Sequence, residues 1–226
     1  VNPVDCATAW EHAPTRRAWA SHMAMNVIGF IGWVGGWVAL LGVSLYLDDW
    51  VVWVFLPYFL YGPYRALTQL RYFPAALWIR RILRTYPWQV LHGVPYGLSD
   101  RPEVLTRHYG WFELPIPGRP GQLLPVVFTQ HLRLEWWSRR MAPRAKLRLK
   151  AQIEEIWFAG DVRFVGVIAV PTRKGLAPRR LHVIEQRMDE QSSRRFIDWG
   201  AGPDDIERGQ QAGVCPRAIL SRMEIL

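Results

Sequence analysis

The side chains able to do chemistry are few and dispersed. Six histidines, His12, His22, His92, His108, His131 and His182, occur without an HxH or HExxH spacing, whereas a metal centre needs three or four donors converging on one point. Cys6 and Cys215 stand at opposite ends of the chain with no CxxC, so each reads as a plain reduced thiol. Asp48-Asp49, Glu154-Glu155 and Asp204-Asp205 are paired acids of the kind that general acid–base catalysis uses, but spacing shows no partner for any of them. There is no GxSxG, P-loop or GxGxxG, and Gly118-Arg119-Pro120-Gly121 reads as a turn before it reads as a phosphate cradle. The expectation is a non-catalytic protein with no metal and no cofactor.

Charge is the stronger signal. Of 226 residues, Lys+Arg number 28 against 19 Asp+Glu, a formal charge of +9 that favours an acidic partner such as anionic lipid or nucleic acid. Arg139, Arg140, Arg144, Lys146, Arg148 and Lys150 form one basic stretch, and Arg173, Lys174, Arg179 and Arg180 a second. Leu147, Leu149, Ala151 and Ile153 alternate with Lys146, Arg148, Lys150 and Gln152, which predicts a half-buried strand with three cations on one face. A parity slip at Glu154-Glu155 then predicts a β-bulge. His131, Arg133 and Glu135 share a face of another expected strand, Leu123–Leu134, and read as solvated. Trp136 and Trp137 suit base stacking, yet a Trp-rich core explains them as well, so nucleic acid is the least favoured partner.

The elements that must carry these residues begin with a run free of charge, Met23–Leu47. As a helix it spans about 37 Å against roughly 30 Å of hydrocarbon, long enough to cross a bilayer. Trp50–Tyr64 is a second apolar run, sufficient only if it continues past Arg65 to Leu70 with that guanidinium snorkelling. Two helices turning at Asp48-Asp49 are expected. Arg16 and Arg17 precede them and Arg65, Arg71, Arg80, Arg81 and Arg84 follow, so both ends should lie in the cytoplasm. Trp50, Trp53, Tyr58, Tyr61 and Tyr64 suit interfacial belts. Gly32 and Gly36 form a GxxxG that either seats the hairpin's own second helix or joins two copies.

After the membrane, AALWIRRILRTY (75–86) is basic and amphipathic. Arg80, Arg81 and Arg84 would face anionic lipid if its apolar face lies in the interface; the alternative packs that face on the following domain. From Trp88 the pattern changes to short period-two runs with frequent Gly and Pro. Gly160-Asp161 predicts a tight hairpin, and 180–185 a further strand. The fold class expected is α+β: cytoplasmic arm 1–22, transmembrane hairpin 23–70, juxtamembrane helix 71–87, antiparallel β domain 88–188 as a barrel or sandwich, and polar mobile tail 189–226.

Two short stretches, Leu83-Arg84-Thr85-Tyr86-Pro87-Trp88 and Ile156-Trp157-Phe158-Ala159-Gly160-Asp161 with Phe164-Val165-Gly166-Val167, resemble a loose group of uncharacterised actinobacterial membrane proteins with a membrane hairpin and a cytoplasmic β-rich part. That resemblance implies no activity and no site residue. The layout is also similar to membrane proteins carrying pleckstrin-like domains and to two-helix effectors whose β-barrel senses a cyclic nucleotide, by architecture alone. The expected role is a cell-membrane scaffold, accessory or sensor whose basic β domain faces the anionic inner leaflet through Arg80, Arg81, Arg84, Arg139, Arg140, Lys146, Arg148 and Lys150. A ligand-gated oligomerising effector is the alternative, and an enzyme of lipid headgroups a third.

Overall fold

A computed structural model of the chain describes residues 2–46, 49–98, 110–129, 134–173, 175–186 and 198–213. The chain divides into two compact units, Trp19–Leu77 on one hand and Val1–Ala18 with Trp78–Leu226 on the other. The architecture is α+β, with a long apolar N-terminal helix followed by a curled antiparallel half-barrel.

Helix α1 spans Ala13–Ser44 and α2 spans Asp49–Leu70. They run antiparallel, since Gln69 Nε2 donates to the Asn26 carbonyl (3.2 Å) and Trp37 Nε1 to the Phe59 carbonyl (3.1 Å). Between them Gly36 lies against the Tyr58 hydroxyl and Gly29 against the Gln69 amide. Trp33 stacks on Tyr58, and Arg65 lies over the rings of Trp33 and Tyr61. Of the expected belt residues, Tyr58 is therefore internal to the pair. Among the described residues only α1 is long and apolar enough to cross a membrane. Length and composition thus support one crossing where the sequence predicts two: α2 carries Pro57 and Pro63 and must accommodate Arg65. Leu47 and Asp48, at the expected bend, lie outside the described residues.

Helix α3, Tyr72–Thr85, has Ile79, Ile82 and Leu83 fully buried in the protein. Its C-terminal half is tied to the N-terminal arm, where Trp10 N–H donates to the Leu83 carbonyl and Ala9 N–H to the Tyr86 carbonyl. On the same apolar face Leu77 is 47 % exposed and Trp78 half-buried.

The seven strands are β1 (Gln89–His92), β2 (Tyr96–Gly97), β3 (Trp111–Ile116), β4 (Arg119–Phe128), β5 (Glu155–Gly160), β6 (Val165–Pro171) and β7 (Pro178–Glu185). They form one sheet in the order β1-β5-β6-β7-β4-β3-β2, every pair antiparallel. β1 and β2 occupy opposite edges yet are joined by Gly93-Val94-Pro95 alone. Flat, those edges would stand about 29 Å apart at ~4.8 Å per strand, while His92 to Tyr96 reaches at most about 15 Å. The sheet has to curl. Gly93, at φ 62°, donates to the Glu154 carbonyl and Pro95 accepts from Glu113 N–H, so the connector bonds to both sides of the gap. The result is a single curled sheet rather than a two-sheet sandwich.

Interior side chains are Phe112, Phe128, Ile156, Phe158, Ile168 and Ile184, among others. The concavity is filled by Trp137 of helix α4 (Glu135–Met141), whose ring meets those of Phe112 and Phe128 at 5.8 and 5.3 Å. On the opposite face Trp157 packs against His12 and Trp88. Trp88 Nε1 donates to Thr15 Oγ1 and that hydroxyl meets His12 Nδ1, both at 2.9 Å. Thr15 Oγ1 thus links the indole to the imidazole, and the donor in its bond with Nδ1 follows from the imidazole tautomer.

Several expectations change. Residues 147–153 are a helical turn, α5 (Leu147–Lys150), and a 3-10 turn (Ala151–Ile153) instead of a strand. The segment Leu-Arg-Leu-Lys-Ala-Gln consists of good helix formers, and the β5 edge it would have joined is taken by β1. The parity slip at Glu154-Glu155 is therefore a helix-to-strand junction, not a bulge. The strand expected to reach Leu134 ends at Phe128, with Leu134 leading into α4; His131 and Arg133 lie outside the described residues. The β5–β6 connection is four residues, Asp161–Phe164, instead of a tight two-residue turn. Within the expected polar tail Pro203–Gln211 is a helix, α6, with Ile206 buried. Arg163 fastens it: 2 % exposed, it binds Asp161 at 2.6 Å, Asp205 at 2.8 Å and the Gly200 carbonyl at 2.8 Å.

Removing Arg163 leaves Asp161 buried without its counter-charge, so Arg163→Ala is expected to cost about 3–5 kcal/mol, read as a shift of the urea midpoint. Burial holds the His12 pKa below its ordinary 6.5. The neutral form is the folded one, so its stabilisation is complete above about pH 6.5 and is lost as pH falls below it, with a slope of at most ~1.4 kcal/mol per unit. A His12→Gln variant whose unfolding midpoint keeps the full wild-type dependence between pH 7.5 and 5.5 (roughly the span in which an unperturbed imidazole titrates) would contradict this.

Candidate functional site

The two basic clusters of the sequence meet at one tryptophan. Helix α4 places Trp137 inward and its neighbour Trp136 half-buried beside it, ring centroids 5.1 Å apart. The Arg140 guanidinium, one helical turn on, lies 3.7 Å above the Trp136 ring centroid. Arg179 and Arg180, from the start of β7, each hold a guanidinium carbon 5.7 Å from the same centroid.

A regular strand points successive side chains to opposite faces, so two adjacent arginines reaching one ring requires a break. The break is visible. Ile168 pairs with His182 but Val170 pairs with Arg179, leaving one extra residue on β7. Arg180 absorbs it at φ 58°, the one non-glycine residue of positive φ among the described residues. Such a bulge re-aims a side chain at the cost of local strain.

The site's electrostatics are unbalanced. Arg140 gives Nε and Nη2 to Gln152 Oε1 (3.1 and 3.0 Å) and Nη1 to the Trp136 carbonyl. Arg179 gives Nε to the Pro171 carbonyl at 3.2 Å. Among the described residues no carboxylate pairs with Arg140, Arg179 or Arg180; Glu135 is taken by Arg139. Burial and then the neighbouring Arg179, Arg180 and Arg139 charges pull the Arg140 pKa down. Burial, followed by Arg180 and Arg173, does the same to Arg179. A cation cluster so little offset is electrostatically suited to an anion.

The other sequence-predicted residues disperse. Arg80 and Arg84 lie over Trp10, while Arg81 is exposed. Lys146, Arg148 and Lys150 do not share a face, because a helical turn sends Arg148 away from the other two; Lys150 Nζ donates to the Pro143 carbonyl. Gly36 seats α2, whereas nothing lies within 4 Å of a side chain built at Gly32. His92 and Glu155 approach to 3.8 Å on the surface, and His182 lies against Phe128 and Trp137. Cys215 and His108 lie outside the described residues. Pro117-Gly118, with Gly118 at φ 76°, turns the chain between β3 and β4, while Arg119 already belongs to β4 and donates to the Asp198 carbonyl. Among the described residues no three His, Cys, Asp or Glu converge as a metal centre. Sequence reasoning noticed both basic clusters but had no signal that a bulge joins them, and it missed Gln152 and the Asp161–Arg163 pair.

The chain matches no protein-family model, no curated protein and no solved structure. The geometry therefore carries the functional argument alone.

Because glycine adopts positive φ freely, Arg180→Gly should relieve about 1 kcal/mol of strain and reduce like-charge repulsion. We expect a melting temperature equal to or above that of the parent chain, and one higher than that of Arg180→Ala. An Arg180→Gly protein melting below Arg180→Ala would overturn the strain argument.

Proposed function

We propose that this chain is a membrane-anchored, non-catalytic sensor or accessory protein: α1 and α2 insert together as a hairpin with both ends cytoplasmic, and the half-barrel binds an anionic group at Trp136, Arg140, Arg179 and Arg180. The single observation supporting insertion is the inside-out polarity of the hairpin. Asn26 and Gln69 are 3 and 1 % exposed, while Ile28, Trp53 and Leu60 are 64, 73 and 70 % exposed. In water each large apolar group left outside forgoes roughly 1.5–3 kcal/mol of burial; in hydrocarbon that term vanishes, and the polar pair is then best kept between helices. Arg65 stacked on two rings allows α2 to accompany α1 without presenting a bare cation to lipid. The reading also retains the basic residues Arg81, Arg84, Arg139, Lys146 and Arg148 as groups for the anionic inner leaflet.

The oligomerising-effector reading has one observation in its favour. Gly32 and Gly35 face away from α2 with nothing within 4 Å, leaving a flat strip on α1 for a second hairpin. Cross-linking that is lost on Gly32→Ile, together with ligand-dependent toxicity, would move the conclusion to that reading.

The expressed chain should remain in the membrane pellet through carbonate extraction, and reporters fused to its two ends should give the same cytoplasmic signal. Ile31→Arg, costing about 2.5–3.5 kcal/mol at the centre of a spanning helix, should reduce the inserted fraction severalfold. Release of the parent chain by carbonate, or reporters on opposite sides, would refute the anchored hairpin.

A further inference from the structure

Building on the anion-binding reading, we infer that the ligand of the Trp136 site is the dianionic phosphate of a monoester, held by three guanidinium groups and recognised without any ring stacking. The first reason is charge. Three cations surround one ring with no carboxylate among the described residues, and burial together with neighbouring arginine charges holds Arg140 and Arg179 below the usual arginine pKa. A phosphate monoester, with about −1.5 to −2 charges at pH 7, answers three cations better than a singly charged diester.

The second reason is donor geometry. Arg180 commits no guanidinium N–H and Arg179 only its Nε–H among the described residues. Planar forks of this kind grip two phosphoryl oxygens at once, and a monoester offers three terminal oxygens where a diester offers two. Arg140, fixed by Gln152 and the Trp136 carbonyl, is already oriented. The third reason concerns the aromatic. Arg140 at 3.7 Å covers one face of Trp136, and Trp137 stands edge-on at 5.1 Å. A nucleobase has no open stacking platform on that covered face, so the indole serves as a wall that orients guanidinium groups. The backbone strain at Arg180, placed at the one position that brings a third cation in, is what a binding role accounts for.

A lipid headgroup such as phosphatidate and a soluble phosphorylated metabolite share this chemistry. The experiment uses the full chain in two arms. In neutral phosphatidylcholine nanodiscs, calorimetry compares glycerol 3-phosphate with dimethyl phosphate. In mixed micelles, native mass spectrometry compares retained phosphatidic acid with retained phosphatidylglycerol at equal mole fraction. The expected result is a preference of about tenfold or more for the monoester in at least one arm, the arm identifying the source. Arg180→Gly, which keeps the backbone, and Arg179→Ala should each reduce that binding by a similar factor. Equal binding of monoester and diester overturns the ligand class while leaving the anion site standing; binding of neither overturns the anion site as well. Monoester binding that survives both substitutions places it elsewhere and overturns the assignment.

Discussion

Three residues, Gly93-Val94-Pro95, set the geometry of the β domain. They join strands at opposite edges of a seven-stranded sheet, and no flat sheet lets them do so. Curling follows, and a curled sheet has a concavity that must be filled. Trp137 fills it, against Phe112, Phe128 and His182. Once Trp137 is committed to the interior, helix α4 has no freedom about where Trp136 and Arg140 go. The placement of the proposed anion site is thus a consequence of closure, set by the residue that packs the core. The bulge of β7 then supplies the remaining cations from the opposite wall.

The two units are built with opposite polarity. In the half-barrel, β6 is buried nearly end to end, its interior parity on the core and its outer parity also covered. Two of its buried polar groups hold partners across the fold: Arg163 pairs with Asp161 and Asp205, and Trp88 with Thr15. The pairing has a use, because α6 and the N-terminal arm have too little apolar surface to hold their places alone. In the hairpin the sense reverses, with amides inside and aliphatic side chains outside. One chain contains both organisations, which is the physical basis for assigning it two environments.

Legibility in the sequence followed the kind of signal. The apolar run was readable because 25 uncharged residues admit few structures, although α1 starts ten residues earlier, at Ala13. The meander β5-β6-β7 was readable from glycine, proline and β-branched residues. Residues 147–153 were misread since alternation was weighed above helix propensity and the absence of a free edge to pair with. Helix α6 was missed for a different reason. Its polar surface hides the buried Ile206 and Gly209, and the arginine that anchors it stands about forty residues away in the chain. The site was half legible. Both basic clusters were visible, but a bulge that places Arg179 and Arg180 on one ring is a property of pairing, and no local pattern encodes it.

Several of the structure's costs fall where these readings place ligands. A left-handed arginine costs about 1–3 kcal/mol, and like charges held at close range add repulsion that ordinary surfaces avoid. Trp137 Nε1 is buried with no acceptor among the described residues, a further ~1–3 kcal/mol. Set against a typical stability of roughly 5–15 kcal/mol, a fold optimised for stability alone would shed them, for instance with glycine at 180 and a carboxylate nearby. Their presence together around α4 is the pattern expected of a site whose repulsion changes sign when an anion arrives between the guanidinium groups. The hairpin's exposed aliphatic surface obeys the same logic, unfavourable in water and neutral in lipid. On the proposed reading, then, each unit carries a destabilising feature that one specified environment removes, and the protein is most stable only when both are present at once.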